Sequence, residues 1–338
     1  MTEKHYGGSS SHGFKGNQLT GSSKELKIDM GKDNSKIKDL EFSISKEDIK
    51  TLKKAGEIAV KAKEYARLII KKDMNLLQIA ELTENKIIEL GGKPAFPVNL
   101  SINEIAAHAT PSFNDTSVAF GLLKVDLGVH IDGLVADTAF SIDLENNKEN
   151  KALIDAAELA LKKASDEIKL GTKLKTIGSI IETQIKSLGF QPIVNLSGHS
   201  IDQYDLHSGL TIPNYDNSQD LEVPSGLYAI EPFATTGLGS VRDGKPSGIY
   251  NLQKPGNVRD NFAREVLHFI AEEYPTLPFC SRWIYKKFGS RGLLALRQIE
   301  SQGLLHQYPQ LIEKGNGKVA QAEHTIIIND KEKIITTI

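Results

Sequence analysis

A repeat with a spacing of 98 residues constrains the fold of this chain more than any other feature. Shifting the sequence by 98 positions aligns two amphipathic helical patterns, and both patterns end at a glycine that is followed three residues later by a proline. This shared ending is harder to obtain by chance than apolar residues at helical spacing. The repeat predicts a duplicated helix–helix–strand unit, with helices outside and strands inside around a central cleft. The aligned pairs include Leu76 with Leu174, Ile79 with Ile177, Leu82 with Ile180, Ile87 with Ile185, Leu90 with Leu188, Gly91 with Gly189 and Pro94 with Pro192.

Local signals place further elements around this repeat. The segment Ser45-Lys46-Glu47-Asp48 has the form of a capping box and predicts a helix that continues to Ile70. A second helix is predicted from Asn75 to Gly91, and Thr172 is predicted to cap a later one. The remaining helices are predicted at about 148–170 and 173–188, and strands at about 192–200, 225–235 and 318–337.

The first 43 residues differ in composition from the rest of the chain. They are rich in Gly, Ser, Lys and Asn and have almost no aliphatic periodicity. A segment of this kind cannot bury enough apolar surface to offset the entropy of ordering it. We therefore predict a disordered tail over residues 1–43 and a catalytic domain over residues 44–338; a tail that docks on a partner is the alternative.

Charge and cysteine usage limit the compartment and the partners. The chain has 41 basic and 43 acidic side chains, a balance that gives no general attraction to nucleic acid or to an anionic membrane. Cys280 is the only cysteine, which excludes an internal disulfide and a cysteine-based zinc site and fits a reducing cytosol. No apolar stretch suggests a membrane span or a signal peptide. These features predict a cytoplasmic protein.

Residues 250–316 interrupt the duplicated pattern. Helical periodicity runs from Arg259 to Tyr274 and again from Gly292 to Gln302. We predict a small helical subdomain inserted into the second half of the fold. Its basic residues outnumber its acidic ones only slightly, so a role in nucleic-acid binding is not indicated.

A β-hairpin with a turn at Asp132-Gly133 carries the strongest local chemistry. In this register Asp126 opposes Ala139 and Asp137 opposes Gly128, so the two aspartates are diagonal neighbours on one face. Their Cβ atoms would lie about 7 Å apart, within reach of shared ligands. Two facing carboxylates in an apolar setting repel each other unless cations compensate, which favours a metal site. The alternative is that both point to solvent from a one-sided sheet.

Three further residues strengthen the metal hypothesis. Glu231 and Glu323 each occur in an apolar strand pattern, where a glutamate needs a reason, and His199 follows a glycine that permits close approach of the backbone. Each signal alone has an ordinary structural explanation, such as an edge charge or a core histidine. Together they give four carboxylates and one imidazole, whose charge of −4 balances two divalent ions. Oxygen-rich ligation with one nitrogen suits Co, Mn, Fe or Zn.

Four phrases of the sequence make this pattern resemble a known family. In their contexts, Asp, Asp, His, Glu and Glu follow the order of the pita-bread metallopeptidases, and the phrases are similar to those of type 2 methionine aminopeptidases. The resemblance covers residues 46–338. The phrases are Phe96–Ser101 leading to Ala106-Ala107-His108, Gly198–Ile201 leading to Tyr204 and His207, Leu277–Trp283, and Ala322–Thr325.

The resemblance implies a fold and a set of metal ligands. The fold is α+β: pseudo-twofold halves around a central antiparallel sheet, with an inserted helical, winged-helix-like subdomain. Asp126 would bind one metal terminally, Asp137 and Glu323 would bridge two divalent ions, and His199 and Glu231 would complete the second site. A water or hydroxide bridging the two ions would attack the substrate, and Glu231 would also accept a proton from it.

The resemblance also implies how substrate is bound. His108 would contact the scissile amide nitrogen and His207 the substrate carbonyl, stabilising the charge that develops during the reaction. Phe96, Tyr308 and Leu311 would line an apolar slot for the methionine side chain.

The implied activity is removal of the initiator methionine when the second residue is small. The expected partner is the N-terminal methionine of a nascent polypeptide near the ribosome, and the expected state is a monomer. A prolidase or Xaa-Pro aminopeptidase is the alternative enzyme, against which stands the lack of the additional N-terminal domain usual in those relatives. A non-catalytic module that binds protein or nucleic acid is the other alternative; such relatives have lost metal ligands, whereas this chain has all five.

Two positions depart from the family pattern. Ala322 stands where phenylalanine is common, which predicts looser packing behind Glu323, and Ile249 replaces a pocket histidine of eukaryotic members. No role is predicted for the other histidines, which are His5, His12, His130, His268, His306 and His324.

Overall fold

The described part of the chain, residues 44–338 of a computed structural model, combines six helices with antiparallel strands. The predicted tail over residues 1–43 lies outside the described residues. The helices are α1 (Lys46–Ile69), α2 (Leu76–Glu89), α3 (Lys148–Glu167), α4 (Leu174–Ser187), α5 (Asn261–Glu273) and α6 (Ser281–Ser301). The strands are β1 (Lys93–Pro94), β2 (Asn99–Ile102), β3 (Ile105–Ala107), β4 (Leu122–Ile131), β5 (Leu134–Asp143), β6 (Gln191–Pro192), β7 (Ser197–Ile201), β8 (Thr211–Pro213), β9 (Gly226–Ile230), β10 (Phe233–Thr235), β11 (Val241–Leu252), β12 (Phe279–Cys280), β13 (Leu305–Glu313), β14 (Val319–Gln321), β15 (His324–Ile328) and β16 (Lys333–Ile335).

The predicted duplication is confirmed at the level of whole elements. Helices α2 and α4 begin 98 residues apart and end 98 residues apart, and so do the short strands β1 and β6 that follow them. Gly91 and Gly189 end the two helices with φ values of 90° and 85°, in the left-handed region that favours glycine. The same chemistry therefore stops both helices and turns the chain towards the sheets.

The predicted cap at the start of α1 is present in the structure, and the predicted cap at the start of α4 is not. The Ser45 hydroxyl accepts from the Asp48 N–H and the Asp48 carboxylate accepts from the Ser45 N–H, which confirms the capping box of α1. The predicted cap of α4 by Thr172 is wrong, because Lys173 occupies the cap position without a side-chain bond. The Thr172 hydroxyl accepts from the Lys169 N–H, and its carbonyl accepts from the Val223 N–H, so Thr172 closes the preceding turn.

Every strand pair is antiparallel, and the strands form four hydrogen-bonded sheets. The hairpin of β4 and β5 belongs to the first half, and the order β16-β15-β9-β7-β8 belongs to the second. Each of the three predicted strand regions is divided in the structure. Region 192–200 is divided between β6 and β7, region 225–235 at Glu231-Pro232, and region 318–337 at Ala322-Glu323 and again between β15 and β16. Proline has no N–H to donate to a sheet, which accounts for the interruption at Pro232.

The two halves meet along β5. The Glu323 N–H donates to the Ala139 carbonyl at 3.1 Å, and the Thr325 hydroxyl both accepts from the Asp137 N–H and donates to the Asp137 carbonyl. The Thr138 hydroxyl donates to the Glu323 carbonyl at 3.0 Å. These bonds bring Asp137 of the first half beside Glu323 of the second.

Each half buries its own apolar core between helices and strands. One core packs α1 and α2 against the hairpin through residues such as Ile79, Ile87 and Val125. The other core packs α3 and α4 against strands of the second half, for example Ile177 of α4 and Ile326 of β15. No described helix is long and apolar enough to cross a membrane.

The region predicted as a helical insertion contains both helices and strands. Helix α5 agrees with its prediction, but α6 begins at Ser281 rather than at Gly292 and is kinked at Gly289, which has φ 63° and ψ −160°. The kink hides the first half of the helix from a search for continuous periodicity. Strand β13 pairs with β3 through Leu311 and Ala107, so the end of this region pairs with a strand of the first half, in a sheet separate from that of the hairpin.

Candidate metal centre and active site

The hairpin has the predicted register. Asp126 pairs with Ala139 and Asp137 with Gly128, and the turn residues Asp132 and Gly133 have φ values of 50° and 83°. Positive φ at both turn positions is the geometry of a two-residue type I′ turn. Asp137 is 3% exposed, so the alternative that both carboxylates face solvent is wrong.

Four carboxylates and one imidazole gather beside this hairpin. His199 Nε2 lies 3.5 Å from Glu231 Oε1 and 4.0 Å from Asp137 Oδ2. One potential ligand atom each of Asp137, His199 and Glu323 lies within 4.8 Å of the others. Gln321 Nε2 donates to Asp126 Oδ2 at 3.2 Å and to Glu231 Oε2 at 3.4 Å, which ties the fourth carboxylate to the group.

Strand geometry in the second half places the remaining ligands. His199 lies in β7 opposite Ala229 of β9, while Glu231 follows the last residue of β9. Glu323 occupies the break between β14 and β15. A Cβ added to Gly198 would lie 2.3 Å from the Ala229 carbonyl oxygen, so only glycine lets β7 approach β9 this closely beside His199.

Burial dominates the electrostatics of the cluster. It raises the pKa of Asp126 to about 7, and it raises the pKa values of Asp137, Glu231 and Glu323 well above their ordinary range. Repulsion from neighbouring carboxylates raises the last three further. Burial and the neighbouring His207 lower the pKa of His199, which keeps its imidazole neutral. Carboxylates that repel each other and a neutral imidazole are a donor set suited to divalent cations.

Buried ligand atoms without partners support the same fit. Asp126 Oδ1, Asp137 Oδ1 and Glu323 Oε2 are inaccessible to solvent and have no hydrogen-bond partner among residues 44–338. A buried carboxylate oxygen without a donor is costly in a folded protein. Divalent cations are partners suited to such oxygens, so the residues present fit a metal centre.

Two further histidines border the cluster. The rings of His207 and His199 have centroids 4.3 Å apart. His108 follows the last residue of β3 and has φ 58°, a left-handed conformation that costs a residue other than glycine about 1–2 kcal/mol. Burial, and secondarily His207, lower the pKa of His108 to about 4, so its imidazole is neutral at pH 7.

The residues predicted to line a methionine slot fall into two groups with different neighbours. Phe96 is buried, and its ring packs against Gly128, the residue opposite Asp137. The contact is so close that a Cβ on Gly128 would lie 2.4 Å from the Phe96 ring. The ring of Tyr308 is 5.5 Å from that of His108, and Leu311 pairs with Ala107 beside it. Tyr308 and Leu311 are thus neighbours of His108, whereas Phe96 packs in a separate apolar cluster with Leu52, Val135 and Leu227.

The positions that depart from the family pattern are both buried. Ala322 is 3% exposed and, with Glu323 and Phe140, lines a cavity of about 400 Å³ on the side facing α1 and α3. Looser packing behind Glu323 remains a prediction. Ile249 is 4% exposed and pairs with Cys280.

The other described histidines have structural contacts outside the ligand group. His130 Nδ1 accepts from the Gly133 N–H, which stabilises the hairpin turn. The ring of His306 lies 5.0 Å from that of Tyr308. His268 pairs with Glu272, and His324 Nδ1 lies 3.0 Å from the Thr337 hydroxyl oxygen. His5 and His12 are outside the described residues.

Sequence reasoning missed Gln321. Its side-chain amide joins Asp126 to Glu231, and Gln321 is 195 residues from the first and 90 residues from the second. The signal available in the sequence was an amide within an apolar strand pattern, two residues before Glu323, and in the structure this side chain is 1% exposed. A buried amide needs partners, and carboxylate oxygens are strong acceptors for its N–H groups.

Comparison with known proteins identifies the family of this chain. Residues 50–330 match the model of metallopeptidase family M24. A methionine aminopeptidase of Pyrococcus abyssi is 47% identical over 295 residues, which are 86% of this chain and 99% of that protein. The structure of a thermophilic Arx1 has a TM-score of 0.73 at 16% identity, covering 87% of this chain and 91% of that one. A methionine aminopeptidase of Thermotoga maritima has a TM-score of 0.63 at 22% identity, covering 87% and 98%.

The two solved structures are distant in sequence and bear on the fold alone, and they confirm the predicted pita-bread α+β architecture. The match to the Pyrococcus abyssi protein extends over nearly the whole of both chains and is far closer. This chain belongs to metallopeptidase family M24 and, within it, to the type 2 methionine aminopeptidases.

Proposed function

We propose that this protein hydrolyses the peptide bond after an N-terminal methionine and so releases the initiator methionine of new polypeptides whose second residue is small. The observation that carries this proposal is the buried group of four carboxylates and one imidazole, in which three carboxylate oxygens have no partner among the described residues. Membership of the methionine aminopeptidases supplies the substrate class.

Asp126, Asp137, His199, Glu231 and Glu323 would hold two divalent ions. Four carboxylates offset the charge of two such ions, and one imidazole among oxygen ligands admits Co, Mn, Fe or Zn. Divalent ions bound there would lower the pKa of a shared water and polarise the carbonyl of the scissile amide. Asp137 and Glu323 would be the ligands shared by the two ions, because the bonds between β5 and the Glu323–Thr325 segment hold them side by side.

Glu231 would accept a proton from the attacking water. Its Oε1 faces His199 and its Oε2 accepts from Gln321, which fixes the orientation of the carboxylate. Burial, with repulsion from Asp126 and Asp137, raises the pKa of Glu231, which makes it a stronger base than a carboxylate in water.

His108 and His207 would act on the substrate amide. His108 is neutral at pH 7, and its buried Nδ1 has no hydrogen-bond partner among residues 44–338. The neutral ring would bond the scissile amide nitrogen. His207, beside the ligand His199, would stabilise charge on the substrate carbonyl oxygen. Phe96, Tyr308 and Leu311 would hold the unbranched thioether side chain of methionine.

The working context follows from this chemistry. The substrate would be the amino terminus of a nascent polypeptide near the ribosome, in the cytoplasm. A monomer suffices, because all five proposed ligands come from one chain.

Peptide cleavage tests the proposal. The protein is stripped of metal, reconstituted with Co or Mn, and given Met-Gly and Xaa-Pro peptides in parallel. We expect cleavage of the Met-Gly peptides alone. Cleavage of the Xaa-Pro peptides would identify a prolidase, and inactivity with every metal would identify a binding module.

A further inference from the structure

One phrase that pointed to the family, Leu277–Trp283, has no part in the site described above. Within it, Arg282 lies in the first turn of α6 and is 3% exposed. Its Nη1 and Nη2 donate to the two carboxylate oxygens of Glu84 in α2, at 2.7 and 2.8 Å. A fork-to-fork pair of this kind fixes the relative orientation of both side chains.

The ion pair also contacts two backbone segments next to the site. Arg282 Nε donates to the Pro111 carbonyl at 3.1 Å, and Nη2 approaches the Thr110 hydroxyl at 3.3 Å. On the other side, Glu84 Oε1 accepts from the Val98 N–H at 3.2 Å. The Thr110 hydroxyl donates to the Val98 carbonyl at 2.9 Å, so the two segments are also bonded to each other.

These segments carry residues of the proposed mechanism. Val98 is two residues from Phe96, and Thr110 is two residues from His108. His108 has φ 58°, outside any strand, and Ala109 is held by a bond from the Leu100 N–H to its carbonyl. A non-glycine residue stays in this conformation only where its surroundings determine the backbone on both sides. The contacts of Arg282 supply that constraint on the C-terminal side.

We propose that Arg282, oriented by Glu84, is a positioning residue that fixes the backbone carrying His108 and thereby makes the helical insertion part of the catalytic apparatus. The inference rests on the proposed role of His108 in methionine release. A lysine at position 282 would keep the charge but could not donate to Glu84, Thr110 and Pro111 in one plane. The competing explanation is an ion pair that only attaches the insertion to the domain.

A double-mutant cycle separates these explanations. Arg282→Lys should lower kcat on a Met-Gly peptide about 10- to 100-fold, the effect of a small misplacement of a reacting group, with metal content unchanged. In the His108→Ala background the same change should alter kcat less than about twofold, because the two residues act as one unit. Arg264→Lys is the matched control: Arg264 bonds only residues of the insertion (Asn257, Val258 and Arg259), so its replacement should leave kcat unchanged.

The outcomes separate this inference from the proposed function. An unchanged kcat in Arg282→Lys, an equal fold-loss in both backgrounds, or a loss of metal with Arg282→Lys would contradict the positioning role. If Arg282→Lys does not fold, Thr110→Val is used instead, because it removes only the hydroxyl that joins Val98 to Arg282. A loss of kcat in Thr110→Val that disappears in the His108→Ala background would support the positioning role, and an equal loss in both backgrounds would contradict it. A wild-type protein that fails to cleave the Met-Gly peptide would contradict the proposed function itself.

Discussion

The side-chain amide of Gln321 lies between the carboxylates of Asp126 and Glu231, which repel each other when both are ionised. It donates to Asp126 and to Glu231, two proposed ligands from different halves of the chain. Groups that orient metal ligands contribute to affinity without touching the metal. Gln321 is therefore the neighbour through which the geometry of the two carboxylates is most directly controlled.

Replacing this amide tests that view. Gln321→Leu should lower metal affinity about 10- to 100-fold, the usual effect of losing a group that orients ligands. Titration of the metal-stripped protein with Mn measures the change. Gln253→Leu is the control, since Gln253 bonds Asn251 in the insertion and should not affect affinity. Equal affinities in Gln321→Leu and the wild type would contradict the role.

The raised pKa of Asp126 determines the direction in which its contribution to folding stability changes with pH. Its pKa is raised from 3.8 to about 7, so the folded state binds a proton that the unfolded state has released. Its contribution to stability is complete below pH 3.8 and is lost as the pH rises to about 7. Because the histidines with lowered pKa values act in the opposite direction, the effect must be isolated by difference.

Asp126→Asn provides that difference. In metal-free protein, the melting temperature of the variant minus that of the wild type should increase steadily between pH 4 and pH 7, because only the wild type loses stability by ionising this group. Thermal denaturation in the presence of a chelator measures both proteins. A difference that stays constant or decreases over this range would contradict the assignment.

At the scale of elements, turns and helix caps that depend on nearby residues could be predicted from the sequence, whereas features that depend on residues distant in sequence could not. The hairpin register followed from one Asp-Gly turn, and the start of α1 followed from one capping box, because each depends on neighbours only a few residues away. Thr172 failed as a cap because Val223, distant in sequence, fixes its carbonyl. The first half of α6 was missed because Gly289 breaks the helical period.

Two predicted strands are interrupted where the site is built. Glu231 follows β9 and Glu323 lies between β14 and β15, so each glutamate is at a gap in sheet pairing. Apolar pattern alone predicts continuous strands here, since it registers burial and not the path of the backbone. In a regular strand, each glutamate side chain would point to one face of the sheet. Because the strands are broken at these positions, both carboxylates can turn towards the cluster.

Gly198 tests how closely β7 must approach β9. Gly198→Ala places a Cβ 2.3 Å from the Ala229 carbonyl, so β7 must move and carry His199 with it. We expect a loss of about 1–3 kcal/mol in the free energy of unfolding together with weaker metal binding. Gly171→Ala adds the same methyl group where the nearest atom would be 3.9 Å away, but it strains the backbone because Gly171 has φ 79°. It is therefore a control for lost stability without a clash and should keep metal affinity. Full metal affinity in Gly198→Ala would exclude this explanation for the glycine.

At the scale of the whole molecule, the site exists only because the two halves meet. The first half contributes Asp126 and Asp137, and the second contributes His199, Glu231 and Glu323. The repeat predicted a cleft between halves, and the resemblance predicted which residues line it. The bonds that assemble it join positions far apart in the sequence, such as Gln321 and Asp126, which are 195 residues apart, and no pattern within one segment specifies such a pair.

The insertion is integrated into this assembly. Strand β13 pairs with β3 just before His108, and Arg282 reaches the segment just after it. Contacts from the insertion thus lie on both sides of one proposed catalytic residue. The chain order alone suggests an appendage, whereas the contacts indicate a part of the active site.

The metal content of two variants tests the central claim most directly. Asp137→Ala and Glu323→Ala are reconstituted with Mn beside the wild type and Asp143→Asn, a control at the far end of β5. Elemental analysis and cleavage of a Met-Gly peptide are then measured on the same samples. We predict two ions per chain and activity in the wild type and the control, with metal and activity lost together in both alanine variants. Stoichiometric metal retained in either alanine variant would contradict the bridging role and with it the proposed two-metal centre.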